Sequence, residues 1–489
     1  MFPLLRFHRK SPGVLLSVLF RVETAVKTSP PVARRRLWHV LLLLFAPGLA
    51  LGFGVPLAAG PDERPNVVLI ISDDQAWSDY GFMGHPVIQT PHLDKLSRDS
   101  VWFDRGYVPT ALCRPSLMTL ATGRYAHEHG VTGNDPSPKK GIEPDRYREQ
   151  RSKLISYIDR FDTLPELLGE RGYLTHQSGK WWEGSYRHGG FTHGMTRGFP
   201  EPGGRHGDDG LRIGREGLQP VEDFVNGAVA EKSPFFLWYA PFLPHTPHDP
   251  PQRLLRKYLQ DGRPVPLSKY YAMCEWFDET CGELLGMLDR KGVRENTLIV
   301  YVTDNGWIQK PDANGYAPRS KQTPYEGGVR TPVMFSWPTH LKPKHRPELV
   351  SSIDVVPTIL GAVGARMPQD LPGLNLVPNL ETGASIQRDR VFGEGFAHDI
   401  ADIENPQTSL LYRWCVQGRW KLILTYDGEV NRYASSHPRE ELRPQLYDLG
   451  TDPLETINLA EKEPERVRSM ADAIGAWWSV TQRKVRLEF

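Results

Sequence analysis

Apolar and polar positions fall into two regimes along the chain. From about residue 64, unbroken apolar runs recur at Asn66 to Ile71, Phe235 to Ala240, Thr297 to Val302 and Val333 to Trp337. Runs of this length without polar alternation predict central strands of a parallel sheet, covered on both faces. Tyr173 to Ser178 predicts a shorter strand. Helical patterns lie between the strands. Thr90 to Ser97 reads as a capped start, with Thr90 as cap and Pro91 at the first position. Thr163 to Gly172 is amphipathic and ends on glycine, and residues 269–290 and 352–360 are also of helical pattern. Residues 135–152, charged and Pro-containing, predict a surface loop. Residues 184–220, rich in Gly, His and Arg without periodicity, predict a long loop of the kind that often carries function.

Alternating strand and helix implies an α/β fold with a mostly parallel central sheet flanked by helices. From about residue 385 the pattern changes. Ser409 to Val416, Trp420 to Tyr426 and Gln445 to Leu449 read as short alternating strands, and residues 462–480 as a terminal helix. The expected organisation is an α/β domain over 61–385 and a smaller subdomain over 386–489, an antiparallel sheet packed with one helix.

Residues 1–60 follow another pattern. Arg34, Arg35 and Arg36 precede an apolar run from Leu37 to Leu51, followed by Ala58, Ala59 and Gly60. This reads as a signal peptide or an uncleaved N-terminal anchor. The run is short of the roughly 20 residues that span a bilayer. Export to the periplasm or the extracellular space is the expectation. Composition adds limits. At 489 residues, 39% hydrophobic and a net charge of +1, the chain buries a large core and is neither disordered nor a nucleic-acid binder by bulk charge. Four cysteines exclude a disulfide scaffold. Cys274 and Cys281, on one predicted helix, lie roughly 10 Å apart at 1.5 Å rise per residue, too far to bridge.

Two strands separated by some 230 residues end in oxygen ligands, Asp73-Asp74 and Asp304-Asn305. Such hard donors suit Ca²⁺ or Mg²⁺ rather than zinc, although turns are rich in Asp for other reasons. Lys180 follows a strand and Lys321 sits in a glycine-rich stretch. Singly each reads as a surface charge; aimed with a metal at one anion, they would neutralise a sulfate or phosphate ester. His245 and His248 lie in a proline-rich segment that is either a rigid turn or a site for imidazole chemistry. Cys113 stands at the start of a helical run, a position that lowers a thiol pKa and favours anions.

Taken in order, Asp73-Asp74, Cys113-x-Pro115-Ser116 with Thr122-Gly123-Arg124, Gly179-Lys180-Trp181, Pro244-His245-x-Pro247, Asp304-Asn305-Gly306 and Lys321-x-x-x-Tyr325-Glu326-Gly327-Gly328-x-Arg330 resemble the sulfatase family. The resemblance runs from about residue 64 to 365. The tail, Gly418-Arg419-Trp420-Lys421 with Leu446-Tyr447-Asp448, resembles that family's C-terminal subdomain. The resemblance implies that a maturation enzyme oxidises Cys113 to formylglycine. Asp73, Asp74, Asp304 and Asn305 then hold Ca²⁺ with modified Cys113 as a further ligand. Lys180, Lys321 and His245 contact the sulfate and leaving group of a substrate expected to be a small-molecule or carbohydrate sulfate ester. Hydrated formylglycine attacks sulfur, the alcohol leaves, and the second hydroxyl expels sulfate.

Two positions depart from the family. Leu117 stands where the family has an arginine that the maturation enzyme reads and that supports the nucleophile. Trp182 stands where the family has a histidine that helps expel sulfate, and an indole is a donor only. Glu183, His188 and His193 are candidate replacements. Tyr186, Arg187, His188, His193, Arg205 and His206 of the long loop either meet a sugar or form a solvated loop. Two other functions fit the same residues: a phosphodiester or phosphonate monoester hydrolase, and a non-catalytic binder of sulfated glycans.

Overall fold

The computed structural model describes residues 64–137, 143–430, 437 and 442–487. The signal or anchor predicted over residues 1–60 lies outside them. Among the described residues no helix is long and apolar enough to cross a membrane.

The larger sheet has nine strands: β1 (Asn66–Ser72), β2 (Val101–Tyr107), β3 (Leu174–Gly179), β4 (His193–Gly194), β5 (Phe235–Ala240), β6 (Thr297–Thr303), β7 (Arg330–Ser336), β8 (Lys344–Arg346) and β9 (Val350–Ser351). Its order is β9-β2-β7-β6-β1-β5-β3-β4, with β8 also on β2. All pairings are parallel except those of β7, which runs against β2 and β6. The apolar runs have the predicted cause. In β1, Val67, Leu69 and Ile71 enter one core, while Val68 and Ile70 enter the core on the opposite face. Each such buried side chain contributes roughly 1.5–3 kcal/mol.

Helices cover both faces. The face with Val68 packs on α5 (Gln219–Ala230) and α6 (Val265–Arg290), and Met273, Phe277, Cys281, Leu284 and Leu288 of α6 form a helical stripe. The other face carries α2 (Cys113–Thr122), α4 (Leu164–Glu170) and α7 (Val355–Ala362). The four cysteines are buried free thiols.

The smaller sheet is antiparallel, in the order β10 (Arg390–Phe396), β11 (Leu410–Gln417), β12 (Trp420–Thr425) and β13 (Gln445–Asp448). The terminal helix α8 (Pro464–Trp477) packs Val467, Met470 and Ile474 on it. The two sheets share a buried ion cluster. Lys421 of β12 lies 3.0 Å from both Glu326 and Glu455, and the Glu326 backbone N–H donates to Glu455.

The structure corrects three local expectations. Residues 135–152 are not all loop: Pro144–Ile155 forms helix α3. Only Arg151, Leu154 and Ile155 of it are buried, so the sequence shows no apolar stripe. Strand β10 was not expected, because Gly393 and Gly395 interrupt its alternation. At 393 a Cβ would stand 2.2 Å from the Trp414 ring. Helix α1 (Pro91–Arg98) begins where predicted, yet the Thr90 hydroxyl does not cap it. That hydroxyl accepts from Gly81 N–H and donates to Asp94. The first helical N–H groups are capped from α6 instead, by Asp278 on Leu93 (2.7 Å) and His92 (3.2 Å).

Candidate active site

Sheet register explains how residues 230 apart in sequence meet. β1 and β6 are neighbours with Ser72 opposite Thr303, so Asp73 and Asp304 leave the sheet side by side. Asp74 N–H donates to Asp304 Oδ1 at 3.1 Å, and Asn305 Nδ2 donates to Asp74 Oδ1 at 2.7 Å. On the other side of β1, β5 and β3 end together at Ala240 and Gly179. Gly179 has φ +86°, and a Cβ there would lie 1.9 Å from Ala240 O. Glycine is what lets the chain turn across β5 and aim Lys180 inward. Ligand groups thus collect at the carboxyl ends of parallel strands, where open α/β sheets bind their ligands.

The side chains converge on Cys113, the first residue of α2. Lys321 Nζ donates to Cys113 Sγ at 3.1 Å and to Asp74 Oδ1 at 2.6 Å. Lys180 Nζ donates to Asp73 Oδ1 at 2.6 Å and stands 3.9 Å from Asp304 Oδ2. His245 Nε2 lies 3.3 Å from Asp74 Oδ2. All eight predicted site residues are therefore in one place. His248 is turned aside, between Tyr270 and Trp307.

Three buried carboxylates face two buried lysines. Burial raises the pKa of Asp73 and Asp304, against the pull of Lys180. For Lys180 and Lys321, burial opposes the charge, but Asp73 and Asp74 respectively override it and raise both pKa values. Burial, then Lys180 and Lys321, hold His245 neutral. The thiol differs from expectation: it is not lowered by its helix N-terminus, since burial pushes Cys113 up to about 12, only partly offset by Lys180 and Lys321.

The donors fit a hard divalent cation. Asp73 Oδ2, Asp304 Oδ2 and Asn305 Oδ1 are buried and accept no hydrogen bond, a rare condition for so many neighbouring oxygens. Ligand atoms of Asp73, Asp74, Cys113 and His245 also lie within 4.8 Å of one another. His245 Nδ1 is 2.6 Å from Thr246 O, so Nδ1 carries the proton and Nε2 is an acceptor facing the Asp74 carboxylate. Two acceptors at that distance are stabilised by a cation or a proton shared between them.

The family model for sulfatases matches residues 65–365. The chain belongs to the sulfatase family. A second model, for the C-terminal part of N-sulphoglucosamine sulphohydrolase, matches residues 320–472. Human arylsulfatase A is 30% identical over 469 residues, covering 86% of each chain. Mouse N-acetylgalactosamine-6-sulfatase is 27% identical, also over 469 residues and 86% of each chain. Among solved structures, one in complex with its substrate D-glucosamine-2-N,6-O-disulfate superposes with TM-score 0.61 at 19% identity, covering 85% of this chain and 97% of that one. The phosphonate monoester hydrolase of Agrobacterium radiobacter superposes with TM-score 0.59 at 20% identity, covering 87% and 100%. At those identities the two structures establish the fold.

The surroundings of the two departures from the sulfatase pattern are specific. Leu117 is buried in the same apolar core as Cys113. The nearest arginine in sequence, Arg114, is 0% exposed and locked elsewhere, with Nε 2.7 Å and Nη2 2.6 Å from the two Glu183 oxygens. Glu183 is thereby excluded as a replacement base. His188 is excluded too, its ring nitrogens taken by Glu183 O and Asp159. His193 is exposed on edge strand β4, bonded to Thr192. The imidazole that does reach Trp182 is His206, with ring centroids 5.1 Å apart. Sequence reasoning grouped it with the long loop; its contact follows from a backbone bond, Trp181 N–H to His206 O, that no local pattern announces.

Proposed function

We propose that this sulfatase-family chain cleaves sulfate esters borne on a carbohydrate, with Cys113 as its converted nucleophile. The observation that carries the reading is Cys113 at the head of α2, 3.1 Å from Lys321, beside a buried cluster whose free oxygens suit a divalent cation. The curated relatives, an arylsulfatase and an N-acetylgalactosamine-6-sulfatase, support the substrate class. Asp73, Asp74, Asp304 and Asn305 would hold Ca²⁺, with the residue at 113 as a further ligand. Bound there, Ca²⁺ supplies positive charge at the sulfate oxygens and formylglycine supplies the oxygen nucleophile.

The chain's own residues do the rest. Lys180 and Lys321, kept charged by the aspartates, orient the sulfate and neutralise charge as the ester bond breaks. Lys321 Nζ holds a proton within reach of the group at 113. Neutral His245 presents Nε2 as a proton acceptor at the same place. The buried walls exclude water and strengthen each of these interactions. Conversion of Cys113 requires a formylglycine-generating enzyme as partner, and residues 1–60 would direct the chain out of the cytoplasm.

The deciding experiment is hydrolysis of 4-nitrophenyl sulfate and of hexosamine sulfates by protein made alongside a maturation enzyme. Mass spectrometry of the tryptic peptide 106–124 reports conversion. Turnover that is abolished by Cys113→Ala and by a Ca²⁺ chelator is expected. Converted protein that binds sulfated sugars without turning them over would sink the reading, as would faster cleavage of the matching phosphate ester.

A further inference from the structure

Two unsatisfied polar atoms sit on rings that touch each other beside the site. Trp182 is 3% exposed, and its indole Nε1–H has no acceptor. His206 lies against it, 5.1 Å between centroids at 34°, and its Nδ1 is buried without a partner. Buried polar groups are nearly always bonded, so an indole N–H and an imidazole nitrogen, both unpaired on contacting rings, call for a ligand. The pair adjoins the active-site residues through Phe242. The other face of the His206 environment is Phe242, at 5.4 Å, which stacks on His245 at 4.3 Å and lies 5.5 Å from Lys180 Nζ.

The charges that act most on His206 are cationic. Burial first, then Lys180, Arg205, Arg151 and Lys321, lower its pKa to about 3, so the ring is neutral and keeps a lone pair. Arg205 and Arg151 also lie over the Trp182 ring, at 4.8 and 5.8 Å, and both pair with Asp135. These contacts fix the indole plane. They leave its N–H and the imidazole as the unfilled groups. The matching ligand group is one that accepts from an N–H and donates to a nitrogen lone pair at once, which describes a hydroxyl.

We infer that Trp182 and His206 form a specificity subsite for a hydroxyl of the sugar that carries the sulfate, Trp182 Nε1 donating to its oxygen and His206 Nδ1 accepting its proton. The inference rests on the proposed sulfatase activity. It makes position 182 a reader of the alcohol rather than a weakened version of the family's histidine.

The test compares kcat/KM for a hexosamine 6-sulfate and for 4-nitrophenyl sulfate, which has no sugar hydroxyl. The proteins are wild type, Trp182→Phe, His206→Phe and the double variant, each checked for conversion at Cys113 and for thermal unfolding. Phenylalanine keeps an aromatic ring in each contact and removes the ring nitrogens, and the thermal unfolding check reports the cost of the changed ring size. The expected result is a sugar-to-aryl ratio lowered roughly 5- to 100-fold in each single variant, the range for one buried hydrogen bond. The double variant should fall little further than either single one, since both atoms serve one hydroxyl. A ratio within twofold of wild type in both single variants overturns the subsite and leaves the activity standing. So does a wild type that cleaves the aryl ester but no sugar sulfate. A wild type that cleaves neither overturns the activity itself, and the subsite with it.

Discussion

Arg114 shows how much a single side chain beside Cys113 is committed to structure. Its guanidinium and the Glu183 carboxylate are paired bidentately and both are buried. Removing one partner leaves the other charged and alone in the interior, which costs about 3–5 kcal/mol. Arg114→Met should therefore lower the urea midpoint sharply, and adding Glu183→Leu should restore most of it. Denaturant unfolding of the single and double variants checks this. Lys321 is the opposite case, a buried charge to which the proposed function gives a chemical use. Lys321→Met should reduce kcat on 4-nitrophenyl sulfate by roughly 10²- to 10³-fold, the range for one preorganised donor, in protein whose Cys113 conversion is confirmed. At this scale the sequence was informative where residues occupy strand ends. Asp73, Asp74, Asp304 and Asn305 follow apolar runs and Lys180 follows the shorter, more polar strand Leu174–Gly179, and the sheet brings these ends together. His206 was legible only as one of six loop residues that either meet a sugar or stay solvated, because its position depends on how a long loop packs.

Elements were legible in proportion to how completely they are buried. β1, β5 and β6 are buried throughout and read as unbroken apolar runs. Helix α3 buries only three residues and reads as loop. Helix α1 was placed correctly for a partly wrong reason. Its sequence offers Thr90, but the cap comes from Asp278, far away in the chain. Asp278→Ala should cost about 1 kcal/mol, in the usual range for losing an N-cap. Hydrogen exchange should show α1 amides losing protection before those of β1. Asp278→Asn, which keeps one acceptor oxygen, should recover part of it.

For the molecule as a whole, burial leaves a pH signature. Asp79 is raised from 3.8 to about 7, mainly by desolvation and against hydrogen bonds from Tyr270 and Ala76. A carboxyl whose folded pKa exceeds its unfolded value binds its proton more tightly in the fold. Its contribution to stability is complete below pH 3.8 and is lost as pH rises to about 7. Asp79→Asn removes that titration. Relative to wild type, the variant should gain stability between pH 4 and 7, by at most ~1.4 kcal/mol per pH unit, and the difference should flatten above pH 7. Urea unfolding across that range measures it. The division into two sheets was legible as a change of pattern near residue 385. The buried Lys421–Glu326–Glu455 cluster that joins them was not, since nothing in the sequence marks a lysine as interior.

The burial of Cys113 also sets a schedule. In the finished fold the thiol is 1% exposed, and Lys321, which bonds it, is synthesised 208 residues later. The loop bearing Lys321 is in turn anchored through Glu326 to Lys421, later still. While the ribosome is still making those segments, the cysteine lacks the cover they provide. Once they arrive, a protein-sized catalyst has no approach to it. Under the conversion proposed above, a maturation enzyme would have to reach Cys113 in the interval between its emergence and the closure of the C-terminal third over it.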